Sequence, residues 1–135
     1  PLGMEHNAEW STDELGMEKT FCCIHSTSRD FAKLGQLFLN DGKFGGQQII
    51  SSEFLNEMKT PTKLSKEAYG MGLWINNDAA IKHYYFWGLY GQYIIIIPEK
   101  NMIIVRTGTY KDQPTDEKGR PVQAAFLANE VANHY

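Results

Sequence analysis

The chain has 135 residues, of which 13 are Lys or Arg and 16 are Asp or Glu, and its formal net charge is −3. This size and charge are typical of one soluble domain or a large part of one. The basic residues are dispersed and outnumbered, so the sequence lacks the positive surface of a nucleic-acid binder. No unbroken apolar run approaches the roughly 18 residues that a membrane-spanning helix needs. We therefore expect neither nucleic acid as a partner nor a membrane span.

The two cysteines, Cys22 and Cys23, are adjacent. Because neighbouring residues of an extended strand point to opposite faces, we expect that they do not bond to each other and are small buried hydrophobic residues. With His25 they lack the spaced pairs of a zinc module. The sequence therefore predicts no metal site and no cofactor. The remaining histidines are scattered, and each is interpreted as a surface or half-buried residue: His6, His83 and His134.

Helix signals dominate the first half of the chain. Thr27-Ser28-Arg29-Asp30 fits a capping box, and apolar residues at helical spacing predict a helix from about Ser28 to Asn40. Phe44 to Ile50 is interpreted as a small hairpin or tight loop. Ser51 or Ser52 then caps a second helix through about Met58.

The hydrophobic period then changes to that of strands. Short turns between four strand candidates predict an antiparallel meander. Four consecutive isoleucines leave neither face of the third strand polar, so this strand should be central and covered on both sides. Pro98 to Asn101 supplies turn chemistry for the last hairpin. The four candidates are Tyr69 to Ile75, Ile81 to Trp87, Gln92 to Ile97 and Met102 to Thr107.

After the strands, Tyr110 to Arg120 is polar and is predicted to be a loop. Pro121 can occupy the first turn of a last helix. The pattern is an α+β arrangement in a single region, 1–135, with a helical and loop part over 1–66 and antiparallel strands plus a terminal helix over 67–135. The apolar side of that helix, expected to lie on the sheet, comprises Val122, Ala125, Phe126, Ala128 and Val131.

The segment Trp87-Gly88-Leu89-Tyr90-Gly91 breaks a strand of bulky residues at two glycines. A glycine inside a strand often marks a bulge or the close approach of a ligand to the backbone. The sequence therefore directs the search for a binding site here. The alternative is that Trp87 and Tyr90 are core aromatics beside a bulge.

Four segments of the chain carry a family resemblance: Pro1 to Met4, Ser26 to Gly35, Tyr69 to Trp74 and Trp87 to Gln92. Together they resemble the beta-lactamase-related serine hydrolases, which include class C beta-lactamases, penicillin-binding carboxypeptidases, family VIII esterases and 6-aminohexanoate-dimer hydrolases. The resemblance covers nearly the whole chain and favours the amide-hydrolase and esterase branch. It implies the C-terminal part of a beta-lactamase/transpeptidase-like fold, and a periplasmic or secreted protein.

Two motifs of that family are absent from the sequence. No serine has a lysine three residues on, so the Ser-x-x-Lys nucleophile motif is missing, and no tyrosine has an asparagine two residues on. Thr60-Pro61-Thr62-Lys63 has the spacing but a threonine and a proline. The resemblance thus implies that this chain holds no catalytic residue and is inactive alone.

The resemblance also assigns an oxyanion and substrate-binding set, namely Trp87, Gly88, Leu89 and Tyr90. Trp87-Gly88 matches the end of the family's Lys-Thr-Gly strand, whose following backbone N–H helps to stabilise the oxyanion. This makes the Leu89 amide the expected donor. The strand lacks the lysine that holds a beta-lactam carboxylate, so a small-molecule ester or linear amide is the expected substrate of the intact protein.

Two functions therefore remain open. The chain is either the C-terminal portion of an acyl-enzyme hydrolase or a stand-alone, non-catalytic binding or structural domain. Tyr93 to Ile97 is apolar on both faces, and in the resembled fold part of its cover comes from upstream segments. We therefore expect an open sheet edge or face, which would lead the 135-residue chain alone to dimerise or aggregate while the longer parent stays soluble, whereas a monomeric chain would favour the stand-alone domain.

Overall fold

A computed structural model describes residues 2–135, so Pro1 of the Pro1-to-Met4 segment lies outside the described residues. The chain is α+β, with three helices around a four-stranded antiparallel meander. The strands are β1 (Glu9–Trp10), β2 (Ile24–His25), β3 (Lys43–Phe44), β4 (Gln47–Gln48), β5 (Trp74–Asn76), β6 (His83–Gly88), β7 (Gln92–Ile97) and β8 (Met102–Arg106). The helices are α1 (Ser28–Leu39), α2 (Ser52–Met58) and α3 (Val122–His134).

The main sheet has the order β5-β6-β7-β8, which confirms the predicted meander. In β7, Ile95, Ile96 and Ile97 have no exposed surface, so the prediction of a central, doubly covered strand is also confirmed. One face of the sheet packs on α1 and α2 through Phe38, Leu55, Leu73, Ile75, Tyr84, Ile94 and Ile96. The other face packs on α3 through Tyr85, Tyr93, Ile95, Ile97, Ala124, Ala128 and Ala132.

The first strand of the main sheet, β5, is shorter than predicted, because it begins at Trp74 rather than Tyr69. Gly70 lies so close to α2 that a Cβ atom there would be 2.1 Å from the Met58 carbonyl oxygen. Gly72 has a φ of +75°, which turns the chain before the strand starts. The two glycines thus serve a tight loop against α2, and an extended strand cannot run through them.

The capping box at α1 forms only in part. The Thr27 hydroxyl accepts a hydrogen bond from the Asp30 amide at 3.2 Å, as predicted. The Asp30 carboxylate does not return to the Thr27 amide. It instead accepts from the backbone amides of Glu5 at 2.7 Å and His6 at 3.2 Å. A helix-capping residue therefore also fastens the amino-terminal segment to α1.

We expect this fastening to fail in acid. The hydrogen bond from the Glu5 amide lowers the pKa of Asp30 from 3.8 to about 2, with further hydrogen bonds from Lys33 and Thr27. A lowered pKa means that the contribution is complete above the unfolded value of 3.8 and is lost as the pH falls through about 2. The amide resonances of Glu5 and His6 should follow that titration and should show no such step in Asp30→Asn. A midpoint near pH 4 would contradict the assignment.

The buried side of α3 differs from the prediction. Ala124, Ala128 and Ala132, spaced four residues apart, contact the sheet, whereas Val122 is 49% and Phe126 60% exposed. The sheet beneath carries bulky tyrosines, and small alanine side chains let the helix approach them closely. The expected assignment of Val122 and Phe126 to the buried side was therefore wrong.

The expectation for the cysteines was also wrong, because Cys22 and Cys23 form a disulfide bond. An extended backbone would have separated their side chains, but Cys23 has a φ of +75° and turns the chain. Cys22 is half-buried and Cys23 is exposed, so neither is a core residue. The turn lies against Trp10, whose indole N–H donates to the carbonyls of Lys19 and Cys22, both at 3.0 Å.

Candidate functional site

The predicted site lies where β6 turns into β7. Gly88 pairs in regular register with Gln92, and a three-residue loop of Leu89, Tyr90 and Gly91 joins the two strands. Tyr90 and Gly91 have φ values of +62° and +78°. The strand therefore has no bulge at this point, because the two glycines end the strand and shape the loop instead of interrupting the strand.

The outer edge of β6 is open at this end. β5 pairs with β6 only from His83 to Tyr85, so Phe86 to Gly88 have β7 as their single strand neighbour within residues 2–135. Unpaired backbone groups on a strand edge can bind an extended chain by adding it to the sheet. The open stretch leads directly into the loop at Leu89.

Leu89 is strongly exposed, with 74% of its surface accessible. Its backbone N–H donates to no group within residues 2–135, whereas the neighbouring Tyr90 carbonyl accepts from the Tyr110 amide at 3.1 Å. A free donor at the end of an open strand edge can bind an anionic oxygen. The Leu89 amide thus meets the first geometric requirement of an oxyanion donor.

Residues 106–113 hold the loop in place. The Gln92 side chain accepts from the Gly108 amide at 3.0 Å and donates back to the Gly108 carbonyl. The Arg106 guanidinium donates to the Gly91 carbonyl. A Cβ atom at Gly91 would lie 2.6 Å from that guanidinium, which would have to shift, and the φ of +78° is one that residues with a side chain rarely adopt, so this position favours glycine. These contacts fix the backbone around the Leu89 amide, as a preorganised donor requires.

Trp87 is a half-buried packing residue as well as a neighbour of the site. Its indole N–H donates to the Gln113 side chain at 2.6 Å. Its ring packs edge-on against Trp74, with 5.1 Å between the ring centroids. Trp74 in turn contacts Tyr69 at 5.1 Å. The structure therefore gathers the four predicted residues at one end of the sheet, but it places Trp87 in an aromatic cluster and leaves Leu89 and Tyr90 open to solvent.

Sequence reasoning missed four residues that support the site: Gln92, Arg106, Gly108 and Gln113. Gln92 carried one usable signal, since it is a polar residue at the head of an otherwise apolar strand. The other three act across turns, where periodicity carries no information.

His83 is buried, with 2% of its surface exposed, which corrects its interpretation as a surface or half-buried residue. Burial lowers its pKa, and its Nδ1 atom lies 2.7 Å from the Ile81 carbonyl oxygen, so Nδ1 carries the proton and donates.

Within residues 2–135, no cluster of three or more His, Cys, Asp or Glu side chains is arranged to bind a metal ion. No helix in the same range has the length and apolar content to cross a membrane.

Neither a protein-family model nor a curated protein sequence matches the chain. Solved structures do match it. A protein described as a putative 6-aminohexanoate-dimer hydrolase from Bacillus anthracis superimposes with a TM-score of 0.78 and 27% identity, over 98% of this chain and 35% of that one. The fold is part of a beta-lactamase-like fold.

A second structure, described as a putative beta-lactamase from Bacteroides dorei DSM 17855, superimposes with a TM-score of 0.62 over 98% of this chain and 48% of that one. At 16% identity it supports the fold alone. The resemblance inferred from the sequence is thus confirmed for the fold. The chain spans between a third and a half of the length of the two proteins.

Proposed function

We propose that this chain is the part of a serine hydrolase that binds the acyl group of an ester or amide and stabilises the oxyanion during acyl transfer. The observation that carries the proposal is the free Leu89 amide at the open end of β6. An oxyanion donor must be aimed and unoccupied before the substrate arrives, because its value comes from preorganisation.

The open edge beside Leu89 supports the same role. An amide substrate presents backbone-like N–H and C=O groups, which can pair with the outward groups of Phe86 to Gly88. Pairing there would place the scissile carbonyl next to the loop. The edge and the donor therefore serve one task, which is to hold an acyl group and polarise its carbonyl.

The nucleophile must come from another segment, since the sequence contains no Ser-x-x-Lys. The Bacillus anthracis protein is long enough to hold such a segment outside the part that matches, because that part is 35% of its length. The side chains available at this strand favour an ester or linear amide over a beta-lactam as the substrate. The strand has no lysine, and the nearby Arg106 guanidinium is engaged with the Gly91 carbonyl.

The alternative function is a stand-alone binding domain. The same open edge of β6 would then capture an extended peptide by strand addition, with no chemistry. The two functions differ in what the gene encodes upstream of this segment.

The gene sequence on the 5′ side of the Pro1 codon therefore tests the proposal. We expect an uninterrupted reading frame that contains Ser-x-x-Lys. The purified 135-residue chain should meanwhile release only background product from a nitrophenyl ester, since a donor without a nucleophile generates no acyl-enzyme. A stop codon in frame directly upstream, or a frame without that motif, would contradict the hydrolase and favour the binding domain.

A further inference from the structure

The disulfide bond between Cys22 and Cys23 joins two neighbouring residues, which are the only cysteines of the chain. It closes a small covalent ring that contains the peptide bond between them. In an extended strand, the side chains of neighbouring residues point to opposite faces, so their sulfur atoms cannot meet. The bond therefore exists only while the backbone is turned.

The turn is made at Cys23, whose φ of +75° lies in the left-handed region. Residues with a Cβ atom disfavour that region, whereas glycine adopts it readily. Cys23 is not a glycine, so the covalent ring is the feature that holds its backbone there. Once the bond is cut, we expect this residue to return to a negative φ, which is the ordinary conformation of a residue with a side chain.

A set of hydrogen bonds depends on that turn. The Trp10 indole N–H donates to the carbonyls of Lys19 and Cys22, both at 3.0 Å. The Ser11 amide donates to the Cys23 carbonyl, also at 3.0 Å. A change of φ at Cys23 rotates the Cys22 and Cys23 carbonyls relative to each other, so the hydrogen bonds to both cannot survive it.

The strand ladder beside the turn is too short to hold the segment by itself. β2 follows Cys23 directly and pairs with β1 over two residues of each strand. Even a longer isolated two-stranded ladder is only marginally stable in water. We therefore expect this ladder and the turn to open together when the covalent ring is lost.

We propose that Cys22 and Cys23 form a site of reversible thiol–disulfide exchange, whose oxidised state closes the segment 9–25 and whose reduced state opens it. The reaction partner is a dithiol. One thiolate of the dithiol attacks a sulfur of the pair, forming a mixed disulfide and releasing the other cysteine as a thiolate, which takes up a proton. The second thiol of the partner loses its proton and displaces the remaining cysteine, which is protonated in turn. The partner leaves as a cyclic disulfide, oxidised by the two electrons that reduce the cysteine pair.

The exchange site shares no residue with the Leu89 loop, so it is independent of the proposed function. Its test is reduction of the 135-residue chain with dithiothreitol. In the reduced chain, trypsin cleavage after Lys19 should become roughly 5- to 30-fold faster, because cleavage follows the population of the open segment and no bond then holds the left-handed backbone. The Trp10 indole N–H, assigned with Trp10→Phe, should lose its protection from exchange with water. Both changes should reverse on reoxidation.

Two double variants isolate the backbone of Cys23. Cys22→Ser/Cys23→Ser has neither thiol, so it should be cleaved as fast as the reduced chain and should not respond to dithiothreitol. Cys22→Ser/Cys23→Gly also lacks the bond, but glycine adopts a positive φ readily. It should therefore be cleaved more slowly than the serine pair.

Unchanged cleavage and unchanged Trp10 exchange, in a chain whose thiols are fully titrated after reduction, would overturn the proposal. Equal cleavage of the two double variants would overturn it as well, since the backbone of Cys23 would then not be the part that switches. Loss of protection at the Leu37 amide within α1 on reduction would show global unfolding and would contradict a local switch.

Discussion

Leu89→Pro is expected to lower kcat by about 10²- to 10³-fold in an enzyme that contains this segment together with its acylating serine. Proline has no backbone N–H, so the substitution removes the proposed oxyanion donor. The loss should fall on kcat more than on KM, because the oxyanion develops in the transition state. Insertion of a residue after Gly88 would be a poorer test, since the strand ends there and the new residue would present its own amide at the same place.

The matched control is Leu89→Ala, which keeps the N–H and removes only the exposed side chain. Its kcat should stay within a few-fold of the unaltered enzyme. A folded Leu89→Pro enzyme with full kcat would exclude the Leu89 amide from the reaction. An equal loss in both variants would show that the side chain, and not the donor, is what matters.

Arg120→Met is expected to lower the free energy of unfolding by about 1.5–3 kcal/mol, the range for hydrogen bonds that involve a charged group. Arg120 is 8% exposed and donates to Asp116 and Asn76, both at 2.8 Å, and to Asp78. It thereby joins the end of β5 to the loop that precedes α3. Methionine fills similar space but leaves the buried Asn76 side chain without this donor.

Lys118→Met is the control for Arg120→Met. Lys118 also contacts Asp78, at 2.9 Å, but on the exposed surface, where an ion pair contributes less than about 1 kcal/mol. Urea unfolding at neutral pH should separate the two variants clearly. The hydrogen bond from Arg120 holds the pKa of Asp78 well below its ordinary value, so the advantage of the unaltered chain should shrink as the pH falls below 3.8. Equal losses in both variants would contradict a special role for the buried guanidinium.

Sequence reasoning succeeded where a local signal decides the structure. Thr27 caps α1 and Ser51 caps α2, each through its own hydroxyl. The last hairpin was predicted correctly from the isoleucines of β7 and from Asn101, which adopts the αL conformation with a φ of +48°. These signals depend on residues within one turn or one strand, so they can be read from neighbouring letters.

Sequence reasoning failed where contacts between distant residues decide the local structure. The side of α3 that is buried depends on the tyrosines beneath it, and the start of β5 depends on the approach of Gly70 to Met58. For the proposed site, the glycines and the family likeness led the sequence analysis to Trp87 to Tyr90 as candidates. It could not find Gln92 and Gly108 as partners, because they meet across the last hairpin, 16 residues apart.

The most direct measurement is the amide resonance of Leu89 in the 135-residue chain labelled with [15N]leucine and assigned with Leu89→Ile. The probe is a methylphosphonate monoester, whose tetrahedral anion resembles the oxyanion of acyl transfer. In the free chain this amide should exchange rapidly with water, as an unpaired donor does, and on titration it should move downfield and saturate. The amide resonance of Leu37, which lies within α1, should not move during the titration and serves as the internal control. A Leu89 amide that is protected from exchange, or that moves no more than Leu37 across the titration, would contradict its role as the oxyanion donor.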